Sequence, residues 1–272
     1  MGMHPADLIC TERYPLLEPH QPGWRRLCAQ AQAELAAQSV FVLPHFLRPE
    51  ALHQMQREAQ CLAPLAHHMD VVTSLYPEHQ GQEPQHPVRR ARFRTSVRAV
   101  GYPYIPLDSP LRALYEWDPL MEGIASLLGY PRIYRYDDAY GALNIAVMEA
   151  GDEFGWHFDQ ADFVVTLVLQ EPTSGGVFEC RTVRRTANAA DDDILQEIIT
   201  ERCPETTAVP MQAGSFLLFR GRQALHRVTP IAGPVPRMVA LLAYDTQPGV
   251  VSSPALLQVR YGIESPAALA QG

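Results

Sequence analysis

The sequence predicts a mainly β fold with helices added on its N-terminal side, and three observations support this class. From residue 132 onward, short apolar stretches alternate with turns rich in Gly, Pro and Asp, as in β-strands. Before that point, several stretches place apolar residues at helical spacing. The chain has 272 residues, 47% of them hydrophobic, which is enough to bury one sizeable core. We expect one domain over residues 1–272, with a helical, lid-forming part at 1–130 and a β core at 131–250.

The N-terminal part begins with a predicted helix over residues 23–38, where the strong helix formers Ala, Leu, Gln and Glu dominate. A short strand follows at Val40–Leu43. Pro49 then occupies the first turn of a second helix, which continues through Glu50–Cys61. Residues 74–90 combine Pro and Gly with polar residues and show no period, so they are predicted to be a loop and a candidate lid.

A further helix is predicted over Pro110–Leu128, where Gly129 stops it. Most of the later pattern is β. An irregular insert at Arg181–Cys203 contains three consecutive aspartates, residues 191–193, before an apolar helical run. Aspartates at the start of a helix suit its dipole, so we favour capping over a metal-binding role for them.

Composition excludes several classes of protein. The formal net charge is −8 and no run of Lys or Arg is present, so nucleic acid is not an expected partner. No apolar stretch approaches the ~20 residues needed to span a bilayer, and no secretory leader is recognisable. The cysteines are odd in number and scattered, which favours reduced thiols and a cytoplasmic location; they are Cys10, Cys28, Cys61, Cys180 and Cys203.

The most informative motif is Gly-Trp-His157-Phe-Asp159, which follows an apolar run. In extended backbone, side chains alternate between faces, so His157 and Asp159 are predicted to point the same way. A distant histidine, His226, is the candidate third ligand. Two imidazoles and one carboxylate on one face of Fe(II) leave positions open for a co-substrate and O2. The pattern therefore predicts a non-haem iron site.

A second His-x-Asp sequence, His68-Met69-Asp70, tests how specific this motif is. It lies in a stretch predicted to be helical or loop, with no strand run after it. No histidine follows it at the spacing that separates Asp159 from His226, with an arginine eleven positions further on. We therefore interpret this second match as surface polarity.

Arg237 stands eleven positions after His226, beyond a Pro-rich turn. Two strands joined by this turn would place both side chains on the inner face of a sheet. A buried arginine needs an anion, because an uncompensated charge is costly to bury. The anion is either a ligand or the carboxylate of one of the glutamates.

The order of these motifs resembles that of the Fe(II)/2-oxoglutarate-dependent oxygenases. The resemblance is close over residues 141–245, where Trp-His-x-Asp, an apolar strand at 163–169, Gly175-Gly176 and His-Arg-Val-Thr-Pro follow one another. A weaker likeness extends to residues 39–50. The resemblance implies a double-stranded β-helix core, jelly-roll or cupin-like, in an enzyme that uses Fe(II), 2-oxoglutarate and O2 to oxidise an unactivated C–H bond.

Within this superfamily, the motifs most resemble those of small enzymes that hydroxylate or halogenate free amino acids. The halogenating members have a small residue where this chain has Asp159, which leaves room for chloride on iron. Asp159 therefore indicates oxygenation: hydroxylation first, or desaturation or cyclisation, of a small amino acid or its derivative. A carrier-bound or peptidyl substrate is an alternative. A cupin-type isomerase, sugar-binding barrel or metal-free sensor is another, because fold does not determine function.

The resemblance also implies roles for individual residues. His157, Asp159 and His226 would hold iron, and Arg237 would fix the far carboxylate of 2-oxoglutarate. The family often has a hydroxyl residue two positions after this arginine, but Val239 stands there in this chain. Two further residues are candidates for contact with the co-substrate, each with a structural alternative: Thr166, which otherwise serves packing, and Asn144, which otherwise makes a structural hydrogen bond.

Candidate substrate contacts rest on weaker patterns. Arg92, Arg94 and Arg98 fall on one face of a predicted strand, which is either a solvated edge or a border of the site. If it borders the site, Arg94 is the candidate for binding a substrate carboxylate. Trp156 faces opposite to His157 in a regular strand, so it serves either packing or substrate contact. The sequence does not predict an oligomeric state.

Overall fold

The computed structural model describes residues 3–75, 87–183, 189–200 and 206–263. The helices, in chain order, are α1 Pro5–Leu8, α2 Pro22–Gln38, α3 Pro49–Leu62, α4 Pro87–Arg90, α5 Pro110–Glu116, α6 Asp118–Leu128, α7 Ala189–Ile199 and α8 Pro254–Tyr261. The strands are β1 Val40–Leu43, β2 His67–Ser74, β3 Arg92–Val100, β4 Tyr134–Arg135, β5 Leu143–Met148, β6 Glu153–His157, β7 Val164–Gln170, β8 Phe178–Thr182, β9 Thr207–Val209, β10 Phe216–Phe219, β11 Ala224–Val228, β12 Arg237–Leu242 and β13 Tyr244–Asp245.

Most strands join one antiparallel sheet in the order β1, β10, β7, β12, β5, β3, β6, β11, β8, β9, with β2 paired to β3. The sheet curls back on itself. Phe178 on β8 and Phe219 on β10 lie near opposite ends of this strand order, yet their ring centroids are only 5.2 Å apart. The predicted jelly-roll core is therefore confirmed. We call strands β1, β10, β7, β12 and β5 the first wall, and strands β6, β11, β8 and β9 the second wall.

Strand β3 connects the two walls. Its C-terminal half pairs with β5 and its N-terminal half pairs with β6, both antiparallel. Strands β5 and β6 therefore follow one another, in the same direction, along one edge of β3. The roll has a closed corner where β5 ends and β6 begins, at residues 149–152. The C-terminal end of β5 and the N-terminal end of β6 lie at this corner. The other end of each strand lies toward the open end of the roll.

Alternate residues of each strand face inward and outward. The outward residues of the first wall pack with helices α2, α3, α5 and α6 in the main hydrophobic core. The inward residues form a second apolar cluster inside the roll, and we call their side the interior face. Its members include Ala146, Met148, Val168, Phe219 and Val239. Any functional side chain on the interior face is shielded by both walls.

The first helices and strand agree with the sequence expectation. The helix predicted at residues 23–38 is α2, the strand at Val40–Leu43 is β1, and the helix after Pro49 is α3. One helix was predicted at Pro110–Leu128, but the structure divides it at Trp117, whose ψ of 115° is extended. Pro119 is the physical reason, because its ring cannot lie inside a continuous helix.

Strand β2 corrects the expectation for His68 and its neighbours. His67–Ser74 pairs with β3 along its whole length, so this segment is neither helix nor loop. Met69 lies on the interior face, whereas His68 and Asp70 alternate with it and face outward. Of the three strands that precede residue 131 and belong to the sheet, β1 and β3 were predicted as strands and β2 was not.

Most of the predicted lid loop at 74–90 lies outside the described residues, and its end forms α4, Pro87–Arg90. The predicted irregular insert contains helix α7, in which Asp192 pairs with Arg89 at 2.7 Å. Within the described ranges, no helix combines the length and apolar character needed to cross a membrane.

Candidate metal centre

His157, Asp159 and His226 come together at the open end of the roll. One ligand atom from each side chain lies within 4.8 Å of the other two. The Asp159 carboxylate approaches both rings, with 3.6 Å from Oδ1 to Nε2 of His157 and 3.4 Å from Oδ2 to Nε2 of His226. The two imidazole centroids are 3.9 Å apart. The three groups can therefore share one metal ion.

The backbone orients both histidines for this arrangement. Nδ1 of His157 lies 2.8 Å from the carbonyl oxygen of Gly155, and Nδ1 of His226 lies 2.9 Å from that of Ala224. A hydrogen bond from Nδ1–H to a carbonyl leaves Nε2 unprotonated in a neutral imidazole, with its lone pair available to a metal. In each residue it is Nε2 that faces Asp159.

Aromatic rings pack around the imidazoles and restrict their rotation. Phe154 lies against His157 with centroids 4.1 Å apart, and Phe219 meets the edge of His226 at 4.6 Å. Phe219 belongs to the first wall and His226 to the second, so this contact crosses the interior of the roll. The candidate metal site therefore lies next to the interior face, at the open end of the roll.

Asp159 reaches the site in a way that strand alternation does not explain. Strand β6 ends at His157, so Asp159 lies in the following loop. Its backbone N–H donates to the carbonyl of Gly221 at 3.1 Å. A side chain on Gly221 would overlap the Asp159 carboxylate, so a glycine is required at the start of the 3-10 turn Gly221–Gln223. This requirement was not recognised from the sequence, where only the Phe-x-Gly spacing before His226 hints at it.

The electrostatics of these three side chains suit the binding of a cation. Burial lowers the pKa of His157 below its usual value, and the neighbouring His226 adds to this effect. For Asp159, burial acts to raise the pKa, but the two imidazoles outweigh it and hold the pKa well below the usual range. At neutral pH the site therefore contains a neutral His157 and an ionised Asp159, the protonation states in which these side chains bind metal.

Arg237 lies on the interior face near the closed corner, opposite Met148 in the β5–β12 register. It is only 5% exposed, and its Nη1 lies 3.8 Å from the sulfur of Met148. Within the part of the chain that the structure describes, no carboxylate pairs with it, so the alternative of a salt bridge with glutamate is not observed there. Burial lowers the pKa of Arg237 to about 10, which leaves it charged at neutral pH.

A cavity of about 320 Å³ opens beside Arg237. Its lining includes Gln170, Gly176, Phe178 and Met211, but among the described residues it does not include the three candidate ligands. A side chain on Gly176 would press on Ile231 and approach the Arg237 side chain, which explains one glycine of the Gly-Gly motif. Space for a small anion is therefore present next to the buried guanidinium.

Thr166 and Asn144 also lie on the interior face, but not beside Arg237. Both stand next to Leu241 across neighbouring strands. Leu241 is four positions from Arg237 along β12, roughly 13 Å at 3.3 Å per residue. Thr166 therefore does not stand beside Arg237, and its contact with the co-substrate stays a prediction. Asn144 accepts a hydrogen bond at Oδ1 from Arg260 at 3.2 Å.

The two predicted substrate residues lie away from the interior. Arg94 faces outward and binds Asp70 through two hydrogen bonds of 2.8 and 3.0 Å, so its assignment to substrate is corrected. Trp156 is buried on the outer side of the second wall, in a hydrophobic cluster with Leu195 on α7. The Arg227 guanidinium lies 4.5 Å above its ring. Trp156 thus serves packing, the alternative recognised from strand alternation.

Two comparisons of sequence bear on the family. The chain matches the family model described as Halogenase D over residues 25–253. No curated protein is significantly similar to it in sequence.

Solved structures extend the comparison to the fold. An oxidoreductase of the 2OG-Fe(II) oxygenase family from Burkholderia pseudomallei is similar at 13% identity and a TM-score of 0.52, over 82% of this chain and 92% of the other. EctD from S. alaskensis, solved with 2-oxoglutarate and 5-hydroxyectoine, shows 19% identity and a TM-score of 0.52, over 80% and 75%. A prolyl hydroxylase from Trichoplax adhaerens shows 14% and 0.51, over 84% and 96%. The predicted resemblance is confirmed at the level of the fold.

Proposed function

Because the chain belongs to the Halogenase D family and has the fold of Fe(II)/2-oxoglutarate oxygenases, we propose that it is a 2-oxoglutarate-dependent dioxygenase. Its reaction is the oxidation of an unactivated C–H bond in a small amino acid or an amino-acid-derived molecule. Hydroxylation is the first expectation, and desaturation or cyclisation are variants of the same chemistry.

The observation that carries this proposal is the combination of a three-residue metal centre with a buried arginine that has no carboxylate partner in the described residues. His157, Asp159 and His226 would hold Fe(II) through two imidazoles and one carboxylate. Arg237 would bind the distal carboxylate of 2-oxoglutarate. A buried guanidinium in an apolar interior is costly unless an anion compensates it, and a dicarboxylate co-substrate supplies that anion.

When bound, Fe(II) with 2-oxoglutarate supplies the power to activate O2 and oxidise a C–H bond. The protein contributes geometry and shielding. The carbonyl bonds to His157 and His226 fix the ligand nitrogens, the loop that contains Gly221 places the Asp159 carboxylate, and both walls exclude water from the interior. The position of the substrate carbon relative to the metal then decides the outcome.

Asp159 supports oxygenation despite the family's description as a halogenase. A carboxylate that binds iron occupies the coordination position that a halide would need. The Asp159 pKa is held well below the usual range, so this group stays ionised and available as a ligand at neutral pH. We infer that the product acquires oxygen rather than chlorine.

A free amino-acid substrate is supported by the motifs and by the two-walled interior, which suits a small molecule. A carrier-bound or peptidyl residue is the alternative within the same chemistry. A cupin-type binding protein without 2-oxoglutarate would have no use for Arg237, so we do not favour it.

The experiment that tests the function supplies the purified protein with Fe(II), 2-oxoglutarate and O2 and a panel of free amino acids. Succinate formation reports turnover, and mass spectrometry reports the product. We expect at least one amino acid to stimulate succinate formation and to gain one oxygen atom, or to lose two hydrogen atoms. Absence of 2-oxoglutarate turnover with every compound, in a protein shown to bind Fe(II), would contradict the proposal.

A further inference from the structure

A second arginine reaches the interior of the roll from the C-terminal helix. Arg260 belongs to α8, and its Nη2 donates to Oδ1 of Asn144 at 3.2 Å. Asn144 shares the interior face with Ala146 and Met148, because residues two apart on a strand face the same side. Arg260 therefore contacts the same surface that Arg237 contacts from the closed corner.

The two arginines stand at opposite ends of that surface. Met148, beside Arg237, is the last residue of β5 before the corner, whereas Asn144 lies four positions farther from it. This spacing corresponds to roughly 13 Å along the strand. Arg237 is thus deep in the roll and Arg260 is near its open end.

The candidate metal ligands are also near the open end, on the opposite wall. His157 and Asn144 are equally far from the corner along their strands. His157 lies four residues after the start of β6, and Asn144 lies four residues before the end of β5. The row of Asn144, Leu241 and Thr166 ends at Leu217 on β10. Phe219, the next inward residue on β10, touches the ring of His226. The contact between Arg260 and Asn144 and the candidate metal centre therefore both lie toward the open end of the roll, the former on the first wall and the latter on the second.

Helix α8 is held firmly over this mouth. Leu257 and Tyr261 pack with Ala99 and Tyr140, and Ala99 pairs with Ala146 in the β3–β5 register. A side chain at Gly101 would collide with the Tyr140 ring, so only glycine permits this close packing.

The start of α8 is anchored by a buried carboxylate. One oxygen of Asp138 accepts the backbone N–H of Ser252 at 2.7 Å, and the other accepts those of Tyr140 and Gly141 at 2.8 Å each. Ser253 then caps the helix by accepting the N–H of Leu256 at 3.2 Å. Arg260 is consequently pre-positioned, which reduces the entropy lost when it binds a ligand.

The charge of Arg260 is not neutralised by its observed partners, the side-chain amide of Asn144 and the hydroxyl of the adjacent Tyr261. Asn144 offers a neutral amide oxygen, and among residues 3–75, 87–183, 189–200 and 206–263 no carboxylate lies within ion-pairing distance of Arg260. A guanidinium has five N–H donors in a planar fork that matches a carboxylate. The side-chain amide of Asn144 adds two more donors at the same place.

We propose that Arg260 and Asn144 bind the carboxylate of the substrate, and that the substrate is therefore a free amino acid or another small carboxylic acid. This inference rests on the proposed function and deepens it. Arg237 binds the co-substrate at the corner, Arg260 binds the substrate acid at the mouth, and the substrate side chain extends toward the metal centre on the opposite wall. A peptidyl residue, whose carboxylate is consumed in an amide bond, does not fit this anchor.

The test measures binding without turnover, by calorimetry on the protein loaded with Mn(II) and 2-oxoglutarate. The ligands are a panel of free amino acids and other small carboxylic acids, together with the amide of whichever acid binds best. We expect Arg260→Gln to weaken binding of the free acid at least about tenfold, the loss of a charge-assisted hydrogen-bonded pair. The affinity for 2-oxoglutarate should remain unchanged. Arg94→Gln, the same change at an outward-facing arginine, serves as the matched control.

The amide supplies the second arm of the test. It lacks the carboxylate charge, so it should bind the original protein weakly, and Arg260→Gln should weaken it no further. Arg260→Lys keeps the positive charge but lacks the planar guanidinium, so its affinity for the free acid should lie between those of the original protein and Arg260→Gln. Thermal unfolding of each variant verifies that α8 remains folded.

The outcomes separate the inference from the function on which it rests. If a free amino acid binds Arg260→Gln as well as it binds the original protein, or if acid and amide lose affinity equally, the anchor is wrong while the proposed function stands. If no free acid of the panel binds, the substrate class fails and the anchor fails with it. In turnover assays, the anchor predicts a raised KM for the acid with a kcat close to that of the original protein.

Discussion

The carbonyl oxygen of Gly221 accepts the backbone N–H of Asp159, and the space where Gly221 lacks a side chain is filled by the Asp159 carboxylate. These two residues belong to separate segments of the chain, one after β6 and one before β11. The turn that precedes β11 therefore positions two candidate ligands at once. It places His226 on the strand that follows, and it places Asp159 through direct contact.

Gly221→Ala should lower Fe(II) affinity by at least about tenfold, because the added methyl group displaces the carboxylate from its place between the two imidazoles. Metal titration of the purified variant measures the effect. Gly23→Ala is the matched control, since a side chain there meets open space in helix α2. Equal Fe(II) affinities of Gly221→Ala and the original protein would show that Asp159 is not held in this way.

His226→Ala should abolish the weak visible absorption band that we expect when 2-oxoglutarate is added to the Fe(II) protein without oxygen. The substitution removes one of three candidate ligands from a site in which the ligand atoms converge within 4.8 Å. His68→Ala removes a histidine from the other His-x-Asp sequence, which faces outward on β2, and should leave the band intact. If His226→Ala retains both the band and full turnover, the assignment of the three ligands is wrong.

Arg237→Gln should raise the 2-oxoglutarate concentration required for activity by roughly two to four orders of magnitude, with Fe(II) binding nearly unchanged. Loss of one partner of a buried charge pair typically costs ~3–5 kcal/mol. Calorimetric titration with 2-oxoglutarate under anaerobic conditions measures the affinity directly. Arg94→Gln provides the control, because Arg94 pairs with Asp70 at the surface. An unchanged affinity in Arg237→Gln would favour a cupin-type protein that does not use this co-substrate.

Asp159 should determine the type of product. The original protein is expected to give oxygenated product even with chloride in excess, because the carboxylate, as an iron ligand, would occupy the position that a halide needs. Asp159→Gly should permit halide binding but chlorinate poorly, since nothing else around the metal is arranged to favour an anion. Product masses in the presence of chloride give the answer. Chlorinated product from the original protein, or original oxygenation rates in Asp159→Gly, would contradict the role of Asp159.

Asp138→Asn should lower the free energy of unfolding by ~1–3 kcal/mol, the usual loss when a charged hydrogen-bonding group is replaced. Burial acts to raise the pKa of Asp138, but the N–H donors of Gly141, Ser252 and Tyr140 outweigh it and hold the pKa below its usual value of 3.8. A depressed folded-state pKa stabilises the protein above the unfolded pKa, and this stability is lost as pH falls through the folded value.

The difference in the free energy of unfolding between Asp138→Asn and the original protein should therefore be largest at neutral pH and should become smaller below about pH 4. Thermal or denaturant unfolding at several pH values follows it. Asp137→Asn changes the exposed neighbouring carboxylate and should have little effect at any pH. A difference that persists undiminished at low pH would mean that shape, rather than charge, gives Asp138 its role.

The sequence was sufficient for the fold class and for bringing together the candidate ligands, for a physical reason. His157, His226 and Arg237 lie on short strands whose alternation is readable locally, and a rolled sheet turns that alternation into one interior. For Thr166, alternation identifies the face of the strand on which the residue lies, but not its position along the strand relative to Arg237. That position depends on β7–β12 register, which long-range pairing sets.

Other features had signals that local patterns obscured. Strand β2 exposes most of its residues, so only Met69 and Val71 at alternate positions indicated a strand. Pro119 was a sufficient reason to divide the predicted helix at Trp117. The contact of Arg260 with Asn144 joins a C-terminal helix to a central strand, and such a contact depends on tertiary docking through Asp138 rather than on any local period.

The docking of α8 has a consequence for how this protein could diversify. The candidate metal ligands and Arg237 lie on the rolled sheet and its loops, whereas Arg260, the proposed anchor for the substrate acid, lies on α8, which is attached through Asp138 and Tyr140. Exchange of α8 for a different helix should therefore change which acid the enzyme binds without changing the candidate metal centre.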